Sequence, residues 1–138
     1  MHMEPGTQQH LSAQFFSKIF NVLPMPAVVF FARRGLKPMA NAEARKLFGT
    51  QLAALIKPTL VYMVAGKPHA YPKEELPWTI ALGKGIGARK EDLVLWKGRR
   101  KNNTYIQLRA FAMPLYEGKQ VVATVAMFED ITDVRNLE

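Results

Sequence analysis

Two long segments rich in aromatic, branched and small apolar residues lie back to back near the end of the chain. They are residues 104–116 and 120–128, and only Glu117-Gly118-Lys119 separates them. A connection of three residues with a central glycine is typical of a β-hairpin. The chain is therefore predicted to contain an antiparallel sheet in which these two segments are adjacent strands.

Apolar residues at spacings of three and four predict a helix near the start of the chain. Its apolar face consists of Leu11, Phe15, Phe16, Ile19, Phe20 and Leu23. Pro24 ends the helix, because proline cannot continue the hydrogen-bond ladder. Residues 1–10 are mostly polar and are predicted to form a flexible tail.

Two further strands and a capped helix are predicted after this point. Residues 27–31 are short, apolar and β-branched or aromatic, which is typical of a buried strand. Residues 36–40 form a weaker strand, and Pro38 places it at the edge of the sheet because proline lacks a ladder donor. Asn41 then caps a helix that ends at Gly49.

The middle of the chain is predicted to be helical. Residues 51–65 are apolar with mixed periodicity, and a proline divides them into two short helices, the second from about Thr59. Residues 66–72 are predicted to form a loop. Pro77 suits the first turn of a further helix, and residues 87–96 form the strand before the hairpin.

This order of elements predicts an α+β fold. It consists of a five-stranded antiparallel sheet with short helices on one face and the N-terminal helix flanking the other. We expect a single domain over residues 11–132, with residues 133–138 beginning a C-terminal helix that Asp130 caps.

Composition excludes several classes of protein. The chain has no cysteine, so it contains no disulfide framework or thiolate metal site. The net charge is +8, but the basic residues are dispersed along the chain. The densest basic run, residues 97–101, is predicted to form a turn. A solvated surface is the favoured interpretation, and a nucleic-acid or membrane-surface module is the alternative. The longest apolar run, residues 27–32, is far shorter than the roughly 20 residues of a membrane span, and we expect a cytoplasmic protein.

The sequence offers no arrangement typical of catalysis. The only serines, Ser12 and Ser17, lie in the N-terminal helix outside any nucleophile-elbow motif. Of the three histidines only His69 lies outside the predicted tail, in a loop flanked by prolines. Carboxylates pair only as sequence neighbours, which suits neither general acid–base chemistry nor a metal site. We therefore expect no enzyme activity and no metal.

Several short motifs, taken in their order, resemble the PAS domain family. They are Leu23-Pro24-Met25-Pro26, Asn41-Ala42-Glu43-Ala44, Leu47-Phe48-Gly49 and the exit Asp130-Ile131-Thr132. The resemblance implies a sensory, non-enzymatic domain. It also implies that Asp130, Ile131 and Thr132 pass the signal to the output domain of a longer parent chain, such as a histidine kinase, a cyclase or a transcription regulator.

The resemblance also bears on cofactors. Photosensory flavin-binding relatives use a cysteine, and haem-binding relatives place a histidine on the helix before the last three strands. This chain has no cysteine, and its corresponding helix has Trp78, Thr79 and Ile80. Haem and cysteinyl-flavin photochemistry are therefore not expected, and the cofactor stays unidentified.

A pocket for a small apolar ligand is predicted between the middle helices and the sheet, with a closed, filled core as the alternative. Its candidate residues are Phe30, Met39, Leu47, Leu55, Met63, Trp78, Leu82, Thr124, Ala126 and Phe128. Alternation along the last strand groups Val122 with the final three of these, and the resemblance implies that this set faces the ligand.

The opposite face of the last strand is also apolar, so it needs a cover. This face has Val121, Val125 and Met127. The N-terminal helix is the natural cover and a second subunit is the other candidate, and we predict a homodimer through this helix and this face of the sheet. The helix residues expected in this interface are Phe15, Phe16, Ile19 and Phe20. A PAS domain that only dimerises, without a ligand, is the alternative to a sensor.

Overall fold

The structure is a computed structural model, and it describes residues 5–49, 60–96 and 105–133. The helices are α1 (Pro5–Val22), α2 (Ala42–Phe48) and α3 (Pro77–Lys84), and a short 3-10 helix covers Lys73–Glu75. The strands are β1 (Ala27–Phe31), β2 (Met39–Ala40), β3 (Leu60–Val64), β4 (Lys67–Ala70), β5 (Ala88–Trp96), β6 (Tyr105–Glu117) and β7 (Gln120–Asp130). The predicted α+β class with an antiparallel sheet is confirmed, although the described part of the sheet has seven strands and not five.

The strands lie in the order β2-β1-β7-β6-β5-β3-β4, and each neighbouring pair is antiparallel. The predicted β6–β7 hairpin is confirmed, with Gly118 in the left-handed region at φ 64°. The edge position predicted for the strand near Pro38 is also confirmed. That strand is shorter than expected, because pairing begins only at Met39, one residue after the proline.

The prediction of a helix from about Thr59 is wrong for those of its residues that the structure describes. Residues 60–70 form the β3–β4 hairpin, which adds two strands to the sheet beyond β5. Ala65 and Gly66 form its turn with φ of 51° and 78°, and a two-residue turn with both φ values positive matches the twist of a hairpin. The sequence signal is weak because alanine, and not asparagine or aspartate, precedes the glycine. Residues 51–58 and 97–101, predicted as a helix and a turn, lie outside the described residues.

Both ends of the described chain differ slightly from expectation. Helix α1 begins at Pro5, so residues 5–10 belong to the helix although the sequence suggested a flexible tail. Proline suits a first helical position, because the backbone N–H that it lacks has no partner there in any case. Strand β7 continues to Asp130, and residues 132–133 make a helical turn. The rest of the predicted C-terminal helix lies beyond the described residues.

The sheet separates two apolar clusters. The larger, which we call the inner core, packs α2 and α3 against the sheet and includes Phe30, Phe48, Trp78 and Phe128. The smaller lies on the opposite, outer face, where Phe20 of α1 covers residues such as Val29. This two-sided arrangement agrees with the prediction that the N-terminal helix flanks the second face.

Asn41 connects the start of β1 to α2. It is fully buried, and its Oδ1 atom accepts hydrogen bonds from the backbone N–H groups of Ala44 and Ala27, both at 2.9 Å. Its Nδ2 atom donates to the carbonyl of Met25 at 3.0 Å. The predicted helix cap is confirmed, and the same side chain also holds the entry to the first strand.

Candidate functional site

The exit residues Asp130, Ile131 and Thr132 form one hydrogen-bonded junction with β6. The backbone N–H of Ile131 donates to the carbonyl of Gln107 at 2.8 Å, and the N–H of Gln107 donates to Thr132 Oγ1 at 3.0 Å. Asp130 Oδ1 accepts from the backbone N–H of Thr132 at 3.0 Å and from its hydroxyl at 2.6 Å. Ile131 is buried, which anchors the junction against the sheet. The path of Ile131 and Thr132 directly after β7 is therefore set by contacts with β6.

The sequence did not single out Gln107, because its role is performed by backbone groups. Any non-proline residue has the same N–H and C=O, so composition contains no signal for it. Only the pairing of β6 with β7, in which Leu108 lies opposite Asp130, places Gln107 beside the exit.

An ion-pair network lies next to the junction and was also missed. Arg109 Nη1 lies 3.1 Å from Glu129 Oε2, and Arg109 Nε lies 3.1 Å from Glu91 Oε1. Arg89 also pairs with Glu91, and its guanidinium lies 4.9 Å from the ring centroid of Phe111. These pairs connect β5, β6 and β7 through partly exposed side chains, so each contributes modestly to stability.

The aromatic side chains of the inner core meet at Phe128 of β7. The Phe48 ring lies edge-on to Phe128 at 5.0 Å between centroids, and the Trp78 ring is tilted against it at 5.6 Å. Trp78 also stacks on Phe30 at 5.1 Å and 8°. Helices α2 and α3 therefore both contact the strand that leads to the exit.

The structure brings most of the candidate pocket residues to this core. Phe30, Trp78, Ala126 and Phe128 are buried in it, and Leu47 and Leu82 pack against it. Thr124 is fully buried opposite Phe30, and its hydroxyl donates to the carbonyl of Met113 at 2.8 Å. This hydrogen bond satisfies the one buried hydroxyl in the set.

The structure does not bring Met39 and Met63 to the core. Met39 is exposed and lies opposite Val29, which belongs to the outer cluster. Met63 alternates with the core residue Tyr62, so its side chain lies on the other face of the sheet. Its position follows from the strand that replaced the expected helix. Leu55, the remaining candidate, lies outside the described residues.

A cleft of about 450 Å³ opens beside the Phe30–Trp78 stack. It lies between the β1–β2 connection and the segment from the 3-10 helix to α3. Its lining residues are Phe30, Phe31, Ala32, Arg33, Arg34, Gly35, Leu36, Pro38, Lys73, Leu76, Trp78, Thr79 and Leu82. The wall towards the core is thus apolar, and the rim is basic.

On the outer face, α1 covers only part of the apolar surface. Phe20 is buried against β1 and β7, whereas Phe15, Phe16 and Ile19 are 66%, 50% and 44% exposed. Met113 and Leu115 of β6 are exposed as well. Their neighbours across the sheet, including Val125, belong to the outer cluster.

A β-bulge separates Val121 from the rest of the predicted outer-face set. Leu115 pairs with Ala123 and Tyr116 pairs with Val121, so Val122 is an extra residue on β7. Val122 packs in the outer cluster. The side chain of Val121 instead lies near Gly85 at the end of α3, on the helix side of the sheet. The bulge thus exchanges the faces that simple alternation gave to Val121 and Val122.

A buried tyrosine forms a separate polar contact in the inner core. The hydroxyl of Tyr71 donates to Asp92 Oδ1 at 2.8 Å. Burial raises the pKa of Tyr71 above its ordinary value, and the hydrogen bond to Asp92 and that residue's charge add to the rise. At neutral pH the tyrosine is therefore a stable hydrogen-bond donor.

The described ranges contain neither a candidate metal site nor a candidate membrane-spanning helix. No group of three or more His, Asp or Glu side chains in them is placed to hold a metal ion. No helix in them has the length and apolar content needed to cross a membrane.

Sequence comparison finds no matching family model and no curated relative. Solved structures do match. The PAS domain of the fruit-fly ELK potassium channel aligns with a TM-score of 0.58 and 15% identity, over 87% of this chain and 97% of that one. The PAS domain of Bordetella pertussis BvgS gives 0.51 and 12%, over 91% and 90%. The Rhodobacter sphaeroides LOV protein gives 0.51 and 11%, over 92% and 72%. The chain therefore has a PAS-like fold.

Proposed function

We propose that this chain is a non-enzymatic signalling module of the cytoplasm. It relays a change in its inner core to an output domain through Asp130, Ile131 and Thr132. The observation that supports this most directly is the position of Phe128. Its ring contacts Phe48 of α2 and Trp78 of α3, and the exit begins two residues later.

The packing around Phe128 offers a physical route for the signal. Phe128 is fully buried, and its ring contacts the rings of Phe48 and Trp78. Close-packed interiors transmit displacements, because a shifted ring must either move its neighbours or lose contact with them. A movement of α2 or α3 would therefore displace the end of β7. A ligand or partner shifts such an equilibrium only by its difference in affinity for the two arrangements.

The junction with Gln107 converts this displacement into a change of direction. Ile131 and Thr132 each share a hydrogen bond with the backbone of Gln107. If β7 slides or tilts relative to β6, these bonds must stretch, break or form in a new register. The outgoing chain then leaves the sheet at a different angle, which an attached output domain would detect.

The test uses the parent protein with its output domain. Asp130→Ala removes the acceptor for two hydrogen bonds from Thr132 and should uncouple output from stimulus while the thermal unfolding midpoint of the domain changes little. Asp133→Ala is the matched control, because Asp133 is an exposed aspartate in the same turn. Normal signalling by Asp130→Ala, or equal loss in the control, would contradict the proposal.

The outer face supports homodimerisation as the second part of the proposal. Phe15, Phe16 and Ile19 of α1 and Met113 and Leu115 of β6 expose apolar surface on the same side of the sheet. A second copy would bury these residues in a symmetric contact of the kind common in homodimers. In this arrangement both exits would lie in one assembly, so that a change in either subunit would reach paired output domains.

A dimerisation domain without a ligand is the second candidate. The close ring contacts of Phe30, Trp78, Phe48 and Phe128 favour it, because they fill the centre of the core. Native mass spectrometry of protein purified from cells separates the two. A dimer with a bound small molecule supports sensing, and a dimer of bare chains supports the second candidate.

A further inference from the structure

The cleft beside the Phe30–Trp78 stack has the size of a small-molecule site. Its volume of about 450 Å³ lies within the roughly 300–1,000 Å³ of typical ligand pockets. Leu36, Leu82 and Pro38 extend the apolar lining outwards from the stack. Leu36 is half exposed, so this lining includes apolar surface that a ligand would remove from water.

The rim of the cleft carries positive charge without a compensating negative charge. Arg33, Arg34 and Lys73 line it, and no lining residue is acidic. All three cations are exposed, and within the described residues none of their side chains forms a hydrogen bond or ion pair. Glu74 and Glu75 follow Lys73 in the chain, but neither lines the cleft.

The backbone favours this arrangement of the rim. Gly35 has φ of 87° and turns the chain directly after the two arginines. The arginines therefore lie on a connection that faces α3, at the end of the strand that contributes Phe30. Guanidinium groups bind carboxylates through two parallel hydrogen bonds, which suits an anion at the mouth of an apolar cleft.

We propose that this cleft binds a small amphipathic carboxylate. Its apolar body lies against Trp78 and Leu82, and its carboxylate meets Arg33 and Arg34. The proposal deepens the proposed function, because such a ligand would contact α3 and the ring stack that leads to Phe128. The binding itself requires neither the exit nor an output domain.

The test measures binding of 2-naphthoate to the chain by calorimetry and by quenching of tryptophan fluorescence. The neutral isostere 2-naphthamide and inorganic phosphate serve as the comparison ligands. We expect saturable binding of the naphthoate and binding about tenfold weaker for each of the other two, because each lacks the charge or the apolar body. Equal binding of the amide, equal binding of phosphate, or no saturable binding of the naphthoate would overturn the proposal.

Two double variants each lower the net charge by the same amount, one at the rim of the cleft and the other away from it. Arg33→Gln with Arg34→Gln should weaken naphthoate binding about tenfold or more. Lys18→Gln with Lys67→Gln lowers the net charge equally but changes exposed residues that do not line the cleft, and it should leave affinity unchanged. Equal weakening in both would indicate a general effect of charge and would overturn the site. Displacement of the naphthoate by an acidic peptide at equal concentration would assign the cleft to a protein partner and also overturn it.

Failure of the proposed carboxylate site can be told apart from failure of the proposed signal relay through the exit residues. Asp130→Ala should not change naphthoate affinity, since Asp130 does not line this cleft. If naphthoate binds but does not alter output, the site stands and the relay fails. If naphthoate does not bind but Asp130→Ala uncouples output, the relay stands and the site fails.

Discussion

The hydroxyl oxygen of Thr132 accepts a hydrogen bond from the backbone N–H of Gln107 at 3.0 Å, across 25 positions of sequence. The same hydroxyl donates to Asp130 Oδ1 at 2.6 Å. One side chain thus fixes the last residues of the exit to the neighbouring strand and to each other. This double role makes Thr132 the residue through which the junction is most directly tested.

Replacing Thr132 by valine keeps the shape of the side chain and removes both hydroxyl hydrogen bonds. The Gln107 N–H loses one hydrogen bond, so we expect its protection to fall by about 1 kcal/mol, the typical net contribution of such a bond. Amide hydrogen exchange at Gln107 should then be about fivefold faster, while exchange in the centre of β6 stays unchanged. Thr132→Ser retains the hydroxyl and should exchange like the parent. Unaltered exchange at Gln107 in the valine variant would show that the hydroxyl does not hold the junction.

Replacing Asn41 by alanine should destabilise the whole domain. The change leaves the N–H groups of Ala27 and Ala44 and the carbonyl of Met25 without the buried partner that they now share. We expect the free energy of unfolding to fall by about 3 kcal/mol, measured by urea denaturation. Asn21→Ala is the control, because Asn21 is an exposed asparagine, and its effect should stay below about 0.5 kcal/mol. Similar losses in both variants would contradict the role given to the buried amide.

The raised pKa of Tyr71 predicts that the free energy of unfolding falls at alkaline pH. Its pKa is raised in the folded state above the ordinary value of 10.0, so above about pH 10 the unfolded chain loses this proton while the folded chain retains it. The stability contributed by the neutral tyrosine is therefore complete below pH 10 and declines as pH rises further, by at most about 1.4 kcal/mol per pH unit.

The comparison with Tyr71→Phe isolates this group. The variant has no phenol to titrate, so its free energy of unfolding should fall less steeply than that of the parent above pH 10. Denaturation series at matched pH values measure both slopes. Asp92→Asn, which removes the neighbouring charge, should lie between the two, since burial remains the main cause of the shift. Identical alkaline slopes for parent and Tyr71→Phe would rule out a folded-state rise in the pKa.

The proposed dimer predicts that charge on the outer face separates the subunits. Phe16→Lys or Met113→Lys introduces a cation into exposed apolar surface on opposite parts of this face. At micromolar concentration, light scattering should show a dimer for the parent and a monomer for either variant. Val64→Lys is the control, because Val64 is equally exposed but lies in the β3–β4 hairpin at the other end of the sheet. A monomeric parent, or a control that dissociates as well, would contradict this interface.

Much of the fold could be predicted because its signals are local. The β6–β7 hairpin follows from two β-rich segments around one glycine, and the cap at Asn41 follows from a polar side chain before a helical segment. The signalling role of Asp130-Ile131-Thr132 stays a prediction, and this exit could be named only because the motif resembles that of PAS domains. Its attachment to Gln107 could not, because no property of a glutamine indicates which strand its backbone will pair with.

The errors share one physical origin. Residues 60–64 have an apolar pattern that fits either a short helix or a strand, and pairing with β5 decides in favour of the strand. That decision also determines the side on which Met63 lies. Similarly, one extra residue at Val122 reverses the faces of Val121 and Val122, although alternation holds over the rest of β7.

By itself, the sequence determined the class of fold and the order of the main elements, because these depend on periodicity, caps and turns within short segments. The tertiary structure alone decided the extra hairpin, the bulge, the contact of Tyr71 with Asp92 and the basic cleft beside Trp78. Each of these depends on the register between segments far apart in the chain. Register is settled by the summed packing of a whole sheet, and no single segment contains that information.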